Sequence, residues 1–216
     1  MRNDLLVAAI EPAVINATQR RIKRLLDIVL TAVLLALTWP LFISIAILIW
    51  VERSGPVLFQ QQRVGEGGRL FTMYKFRTMI LGAEALEATM HAQVRNGTMQ
   101  HKRSDDPRVT PLGRWLRRTS LDELPQLVNV LRGDMSLVGP RPELPWLVAQ
   151  YEPWQYRRLG VPQGLTGLWQ INGRAQNPMH LSTDIDLDYV EHYSLWLDLS
   201  ILVKTPLAVW RGDGAF

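Results

Sequence analysis

The chain has 216 residues and a formal net charge of +4, with 47% hydrophobic and 20% charged side chains, which is the balance of a globular domain and not of a disordered, collagen-like or polytopic membrane chain. It contains no cysteine, which excludes disulfide scaffolds, thiolate zinc sites, iron–sulfur clusters and cysteine nucleophiles and fits a reducing compartment. The length favours one compact unit able to bury a core.

The charge is unevenly spread: residues 1–80 carry ten basic and five acidic side chains, residues 119–216 seven basic and eleven acidic. The first segment, residues 1–19, holds a short apolar patch, Leu5 to Ile10, followed by Glu11 and Pro12. That patch is too short for a cleaved signal peptide. Residues 20–52 form a predicted membrane anchor. Between Asp27 and Glu52 lie 24 residues without a charge, a helix about 36 Å long against a hydrocarbon core of roughly 30 Å. Basic residues flank the run on both sides, Arg20, Arg21, Lys23 and Arg24 before it and Arg53, Arg63 and Arg69 after it, so neither end carries the mark of an exported flank. Pro40 stands at mid-run; it has no N–H for the carbonyl of Ala36, and its ring crowds that carbonyl, so a helix must bend there. A re-entrant pair of half-helices satisfies both observations, with the Thr38 hydroxyl placed to satisfy freed backbone groups. A kinked single span and a buried core helix are the alternatives.

The remainder, residues 53–216, reads as the body of the protein that follows the anchor. QQRVGEGGRLFTMYKFRTM reads as a β-hairpin split by Gly65, Gly67 and Gly68, with Leu70, Thr72, Tyr74 and Phe76 on one face. Ala83 to Val94 has a helical composition, and a loop rich in turn formers runs on to Gly113. Residues 95–118 hold seven basic side chains against Asp105 and Asp106, the densest positive patch. Next, Leu124, Leu127, Val128 and Leu131 fall at helix spacing before a stop at Gly133. Ser120 and Glu123 match a capping box, but a cap there would place Pro125 inside the helix, where the Leu121 carbonyl loses its donor. A cap at Asp122 places Pro125 at the third position, where its N–H is not needed, and is preferred. Asp122 and Glu123 then stand at a helix N-terminus that also suits phosphate oxygens. Arg141 lies between Pro140 and Pro142; it has little backbone freedom and suits bidentate phosphate contact, with a solvated turn arginine as the plain alternative. A loop-and-strand region around GLTGLWQINGR precedes a helical stretch with Trp196, Leu199, Leu202, Val203 and Trp210, broken at Pro206, which suits either an interfacial amphipathic segment or core packing.

KFRTM at Lys75 to Met79, SLDELPQLVNVLRGDMSLVGPRP at Ser120 to Pro142, GLTGLWQINGR at Gly164 to Arg174, and LDYV followed by WLDL resemble the bacterial sugar transferases, monotopic polyprenyl-phosphate hexose-1-phosphate transferases that begin exopolysaccharide, O-antigen and glycan assembly. The resemblance spans roughly residues 20–212, and the stretch resembles the family's catalytic domain or a small stand-alone enzyme. It implies an α+β, mainly helical monotopic membrane protein with a proline-broken re-entrant helix, a small β-hairpin and interfacial amphipathic helices, at the cytoplasmic face of the bacterial inner membrane. The implied reaction moves a sugar 1-phosphate from a UDP-sugar to undecaprenyl phosphate and releases UMP, with Asp122 as the nucleophile of a phosphosugar-aspartyl intermediate. Glu123 is implied to position magnesium or handle protons, so that Asp122 and Glu123 are also the expected Mg2+ ligands. Lys75, Arg117 and Arg141 match phosphate-binding positions; Gln126, Asn129 and Asp134 are expected to organise the surroundings, and Gln170, Arg174 and Asp186 to make nucleotide or scaffold contacts. The sequence departs from the family where Trp39, not serine, precedes Pro40. Expected partners are the UDP-sugar, the polyprenyl phosphate and the bilayer, with a homo-oligomer compatible; no motif specifies the sugar. A non-catalytic adaptor for anionic lipid is the competing reading. Nucleic-acid binding lacks a reader motif, and His91, His101, His180 and His192 lack the paired spacing of a metal hydrolase.

Overall fold

The computed structural model describes residues 15–83, 106–172 and 183–211; the predicted helix from Ala83 to Val94, beyond its first residue, and the first part of the basic patch, residues 95–105, lie outside them. Helix α1, Ala17–Glu52, opens with a reciprocal cap between Asn16 and Gln19 and ends at Arg53 in a left-handed conformation. The helical backbone continues through Pro40, so the chain forms one long helix where two half-helices were expected. A proline deletes one hydrogen bond and leaves its neighbours intact. The Thr38 hydroxyl donates to the Leu34 carbonyl at 2.7 Å and not to that of Ala36.

Two stretches of α1 are buried, with different chemistries: Lys23, Asp27 and Thr31 in the first half, Ile45 and Ile49 in the second. Arg24 donates to the carbonyls of Val130 and Leu131 at 2.5 and 2.7 Å, and Asp27 accepts from Ser136 and from the Leu137 amide. The far half packs Ile45 and Ile49 against Phe76 and Leu116. Both ends of the helix therefore dock on one body. The residues between and around these stretches, Val33, Leu34, Leu37, Trp39, Ile43, Ile47 and Trp50, are exposed, and α1 is long and apolar enough to cross a membrane.

Strands β1, Leu58–Val64, and β2, Leu70–Phe76, pair antiparallel from Leu58 with Phe76 to Val64 with Leu70, as the alternation predicted. Phe71, Met73 and Phe76 of β2 are buried while Leu70 is 58% exposed. Helix α2, Pro111–Arg118, starts where the sequence suggested loop; Thr110 caps it by accepting from the Gly113 amide, and Pro111 takes the first turn. Helix α3, Gln126–Arg132, ends at Gly133 as predicted. Leu127 and Val130 are buried on α3, with Val128 and Leu131 only partly so. Strand β3, Ser136–Val138, runs parallel to β4, Gly164–Thr166. The two backbones approach so closely that a Cβ on Gly164 would meet the Gly139 nitrogen at 2.1 Å. Short helices α4, Pro145–Val148, and α5, Leu168–Ile171, precede α6, Thr183–Glu191, and α7, Leu195–Arg211.

The main core joins Phe71 and Met73 of β2 to Leu127 and Val130 of α3, to Leu137 and Val138 of β3, and to Tyr189 and Ile201. A second cluster joins the end of α1 to Phe76 and Leu116. Leu124 packs against both, so the segment around it sits at the seam between two cores.

Candidate active site

The chain reaches this seam through a turn that neither capping scheme foresaw. Residues Leu121–Glu123 form a single 3-10 turn, with Ser120 in a left-handed conformation at φ 56° and no side-chain cap. The Leu124 amide donates to the Leu121 carbonyl at 3.2 Å, which supplies the donor that Pro125 lacks. Pro125 then precedes α3. Asp122 is thus not the cap of a helix, and the dipole of α3 begins three residues beyond Glu123.

Four segments bring charge to this turn. Lys75 comes from β2, Arg117 from α2, Asp122 and Glu123 from the turn, and Arg141 from the proline-bracketed segment after β3. Glu123 Oε1 accepts from Lys75 Nζ at 2.8 Å and from Arg141 Nη2 at 2.6 Å, with Arg141 Nη1 3.4 Å from Oε2. Lys75 Nζ stands 3.9 Å from Asp122 Oδ2, beyond hydrogen-bonding distance. Glu123 is therefore a clamp that holds two cations side by side beside the Asp122 carboxylate.

Burial pushes the Asp122 carboxyl above the ordinary carboxylate range; Lys75 opposes the shift and the neighbouring Glu123 charge adds to it. Burial also lowers the Lys75 ammonium, with Glu123 working against the change, and lowers the Arg117 guanidinium. Burial disfavours the Arg141 charge too, but Glu123, Asp122 and Glu143 together outweigh it and hold that guanidinium more firmly protonated than usual. Three cations face two carboxylates in one partly buried cluster, which leaves an excess of positive charge suited to an anion.

The predicted supporting residues divide. Asn129, fully buried, imitates a strand: its Oδ1 accepts from the Tyr74 amide at 3.1 Å and its Nδ2 donates to the Thr72 carbonyl at 2.7 Å. It fastens α3 to the edge of β2 next to Lys75. Asp134 accepts from Asn129 Nδ2 at 3.3 Å. Gln126 is buried, and its Nε2 has no hydrogen-bond partner among the described residues. Gln170 donates to the Leu165 carbonyl at 3.5 Å, and Asp186 pairs with buried Arg158 at 2.5 Å, which in turn stands behind Arg141. Arg174 lies outside the described residues, as do His91, His101 and His180. His192 lies on the surface beside Asp188.

Sequence reasoning missed Thr78 and Arg158. The Thr78 hydroxyl accepts from Arg117 Nε at 2.9 Å, and α2 comes near enough for this only because residue 113 is glycine, whose Cβ would lie 2.1 Å from the Thr78 carbonyl oxygen. Thr78 was visible inside KFRTM, but its partner lies 39 residues away. Arg158 followed Arg157 in an acid-rich third and carried no local mark of burial.

A magnesium ion takes one or two carboxylates and fills its remaining positions with water and substrate phosphate. Asp122 and Glu123 supply that number, and Glu123 is already engaged by two cations. The set fits an ion held chiefly through Asp122 and a bound phosphate, and among the described residues no group of three or more acidic or histidine side chains forms a protein cage.

The family model for bacterial sugar transferases matches residues 18–212. The chain belongs to that family. It is 38% identical over 224 residues to the undecaprenyl-phosphate galactose phosphotransferase of Salmonella typhimurium, covering 99% of this chain and 46% of that protein. The exopolysaccharide production protein ExoY of Rhizobium meliloti is 39% identical over 90% of this chain and 88% of its own length. The UDP-glucose:undecaprenyl-phosphate glucose-1-phosphate transferase of Caulobacter vibrioides is 41% identical, with 90% and 72% covered. The chain spans under half the length of several curated relatives it matches. The family is one of enzymes, and the Asp122–Glu123 cluster lies inside the matched region.

Proposed function

We propose that the protein transfers a sugar 1-phosphate from a UDP-sugar to polyprenyl phosphate by way of an Asp122 adduct. A carboxylate oxygen of Asp122 forms a bond to the β-phosphorus while the bond from that phosphorus to the bridging oxygen breaks, and UMP leaves with the electron pair. An oxygen of polyprenyl phosphate then attacks the same phosphorus, the Asp122 oxygen departs, and a diphosphate-linked lipid sugar results. The observation that carries this reading is the buried Asp122 carboxylate set beside three cations from three separate elements. Two anions must meet in each step, so Lys75, Arg117 and Arg141 are placed to hold charge that spreads over the phosphoryl oxygens. Glu123 keeps Lys75 and Arg141 aimed. Magnesium, when bound, would neutralise part of the diphosphate charge through Asp122 and the phosphate oxygens.

A lipid acceptor requires the site to stand at the interface. Both ends of α1 dock on the same domain, which supports an anchor that keeps both flanks on one side of the membrane, with the exposed Leu37 and Trp39 facing lipid. Basic residues on both flanks support the cytoplasmic side of the bacterial inner membrane. On α7, Trp196, Leu199, Val203, Leu207 and Trp210 form an exposed apolar stripe, while Leu197, Ile201 and Leu202 pack inward. The two uses that the sequence left open thus divide between two faces, and the outer one suits the headgroup layer.

Detergent-purified protein with magnesium, undecaprenyl phosphate and a panel of UDP-galactose, UDP-glucose and UDP-N-acetylhexosamines is expected to release UMP with at least one donor, and mass spectrometry of quenched protein to find the phosphosugar on Asp122. Asp122→Asn is expected to remain folded and lose turnover. Absence of UMP with every donor, or unchanged function in Asp122→Asn as an adaptor would show, overturns the reading.

A further inference from the structure

The segment that delivers Arg141 is held almost entirely by its carbonyls. Pro140 and Pro142 cannot donate, and the acceptors around them are taken in turn. Lys23 Nζ donates to Val138 O at 2.8 Å, the Gly164 amide to Pro140 O at 2.8 Å, Arg63 Nη1 to Pro142 O at 3.2 Å and the Val64 amide to Glu143 O at 2.9 Å. The carbonyl of Arg141 itself is taken by Arg158 Nη2 at 2.8 Å.

Arg158 is 1% exposed, and its guanidinium is fixed on several sides. Nη2 also meets Asp186 Oδ2 at 2.5 Å, Nη1 donates to the Tyr151 hydroxyl, and the cation lies 5.8 Å from the Tyr151 ring centroid. Glu143, also buried, adds a further negative charge to its surroundings. A buried ion pair is a poor device for stability alone, since well-packed apolar residues of similar volume commonly do as well or better. What apolar residues cannot do is donate to a carbonyl. The rigid planar fork of arginine can address acceptors fixed in different directions, and a lysine ammonium cannot reproduce that fork.

We infer that Arg158, held by Asp186 and Tyr151, is a positioning residue that sets the backbone of Arg141 and thereby aims the Arg141 guanidinium at Glu123 and at a bound phosphate. The inference rests on the transferase reading above and deepens it. Arg158 touches neither Asp122 nor a phosphate; it acts through the residue 17 positions before it.

The test is a double-mutant cycle on the full chain in detergent, with Arg158→Lys and Arg141→Lys alone and together, scored by UMP release and by calorimetric binding of UDP. Arg158→Lys is expected to lower kcat/KM for the sugar donor by about 10²-fold, the scale of a 1 Å misplacement, and to lower it by only about threefold when Arg141 is already lysine. Tyr151→Phe, which removes one acceptor and preserves the ring, is expected to show a smaller loss with the same dependence on Arg141. Equal losses in both Arg141 backgrounds, in turnover or in UDP binding, would show that Arg158 supports the fold at large, and the inference fails. No loss in Arg158→Lys overturns it as well. If the unmodified protein turns over no donor, the transferase reading is what has failed, and the UDP-binding cycle still judges the role of Arg158.

Discussion

At the residue scale the decisive pair is Asp122 and Glu123, two adjacent carboxylates with different surroundings. Glu123 is neutralised in place by Lys75 and Arg141, whereas Asp122 is buried and held above its ordinary range. Replacing Glu123 by glutamine should release both cations and lower kcat by about 10²-fold, the usual scale for losing one preorganised charge contact, with UMP release as the readout. The pH dependence has a definite sign. Only ionised Asp122 can attack phosphorus, so kcat/KM should fall as pH drops through its raised pKa, and the midpoint should lie above that of an ordinary aspartate. Stability moves the opposite way: the folded chain binds this proton more tightly than the unfolded one, so the Asp122 contribution is fully present below the ordinary carboxylate range and is lost as pH rises through the folded value. Asp122→Asn should remove that slope from melting temperatures measured against pH.

At the element scale, the site depends on how closely α2 and α3 approach β2. Gly113 allows the first contact and Asn129 makes the second. Gly113→Ala places a methyl 2.1 Å from the Thr78 carbonyl oxygen and should cost about 1–3 kcal/mol by overpacking, seen as a lower melting temperature. Thr78→Val keeps the shape and removes the acceptor for Arg117; it should lower kcat/KM by about tenfold, a loss near the net worth of one hydrogen bond to a charged group, with little change in melting. These elements were only partly legible beforehand. The hairpin and α3 were read from glycine punctuation and periodicity, because both signals are local. The start of α2 reads as loop although Thr110 and Pro111 mark it, and the buried face of β2 is not written in the strand itself, because burial is decided by what packs above it.

At the scale of the whole molecule, α1 is joined to the domain by a buried charge network. Lys23 Nζ meets Asp198 Oδ2 at 2.7 Å, and the Tyr189 hydroxyl donates to Asp198 Oδ1 at 2.7 Å. Lys23→Met alone should destabilise the protein by about 3–5 kcal/mol by leaving a buried charge unpaired, and the double change with Asp198→Leu should recover much of that, as denaturation in detergent would show. The absence of cysteine allows topology to be tested directly. Single cysteines replacing Arg21 and Arg53, one at each end of α1, should react with an impermeant thiol reagent from the same side of the membrane. Labelling from opposite sides would establish a span.

The sequence by itself determined the apolar run and its basic flanks, the hairpin, the stop at Gly133, the proline bracket around Arg141 and the family. Each of these is written in adjacent residues or in a contiguous motif. Tertiary structure decided that Glu123 clamps Lys75 and Arg141, that Asp122 lies in a 3-10 turn and not at a helix cap, that both ends of α1 dock on one domain, and that Arg158 and Thr78 stand behind the cations. Apart from the local turn, those relations join residues from 17 to 175 positions apart, and they exist only once burial has removed water as the alternative partner for each charge.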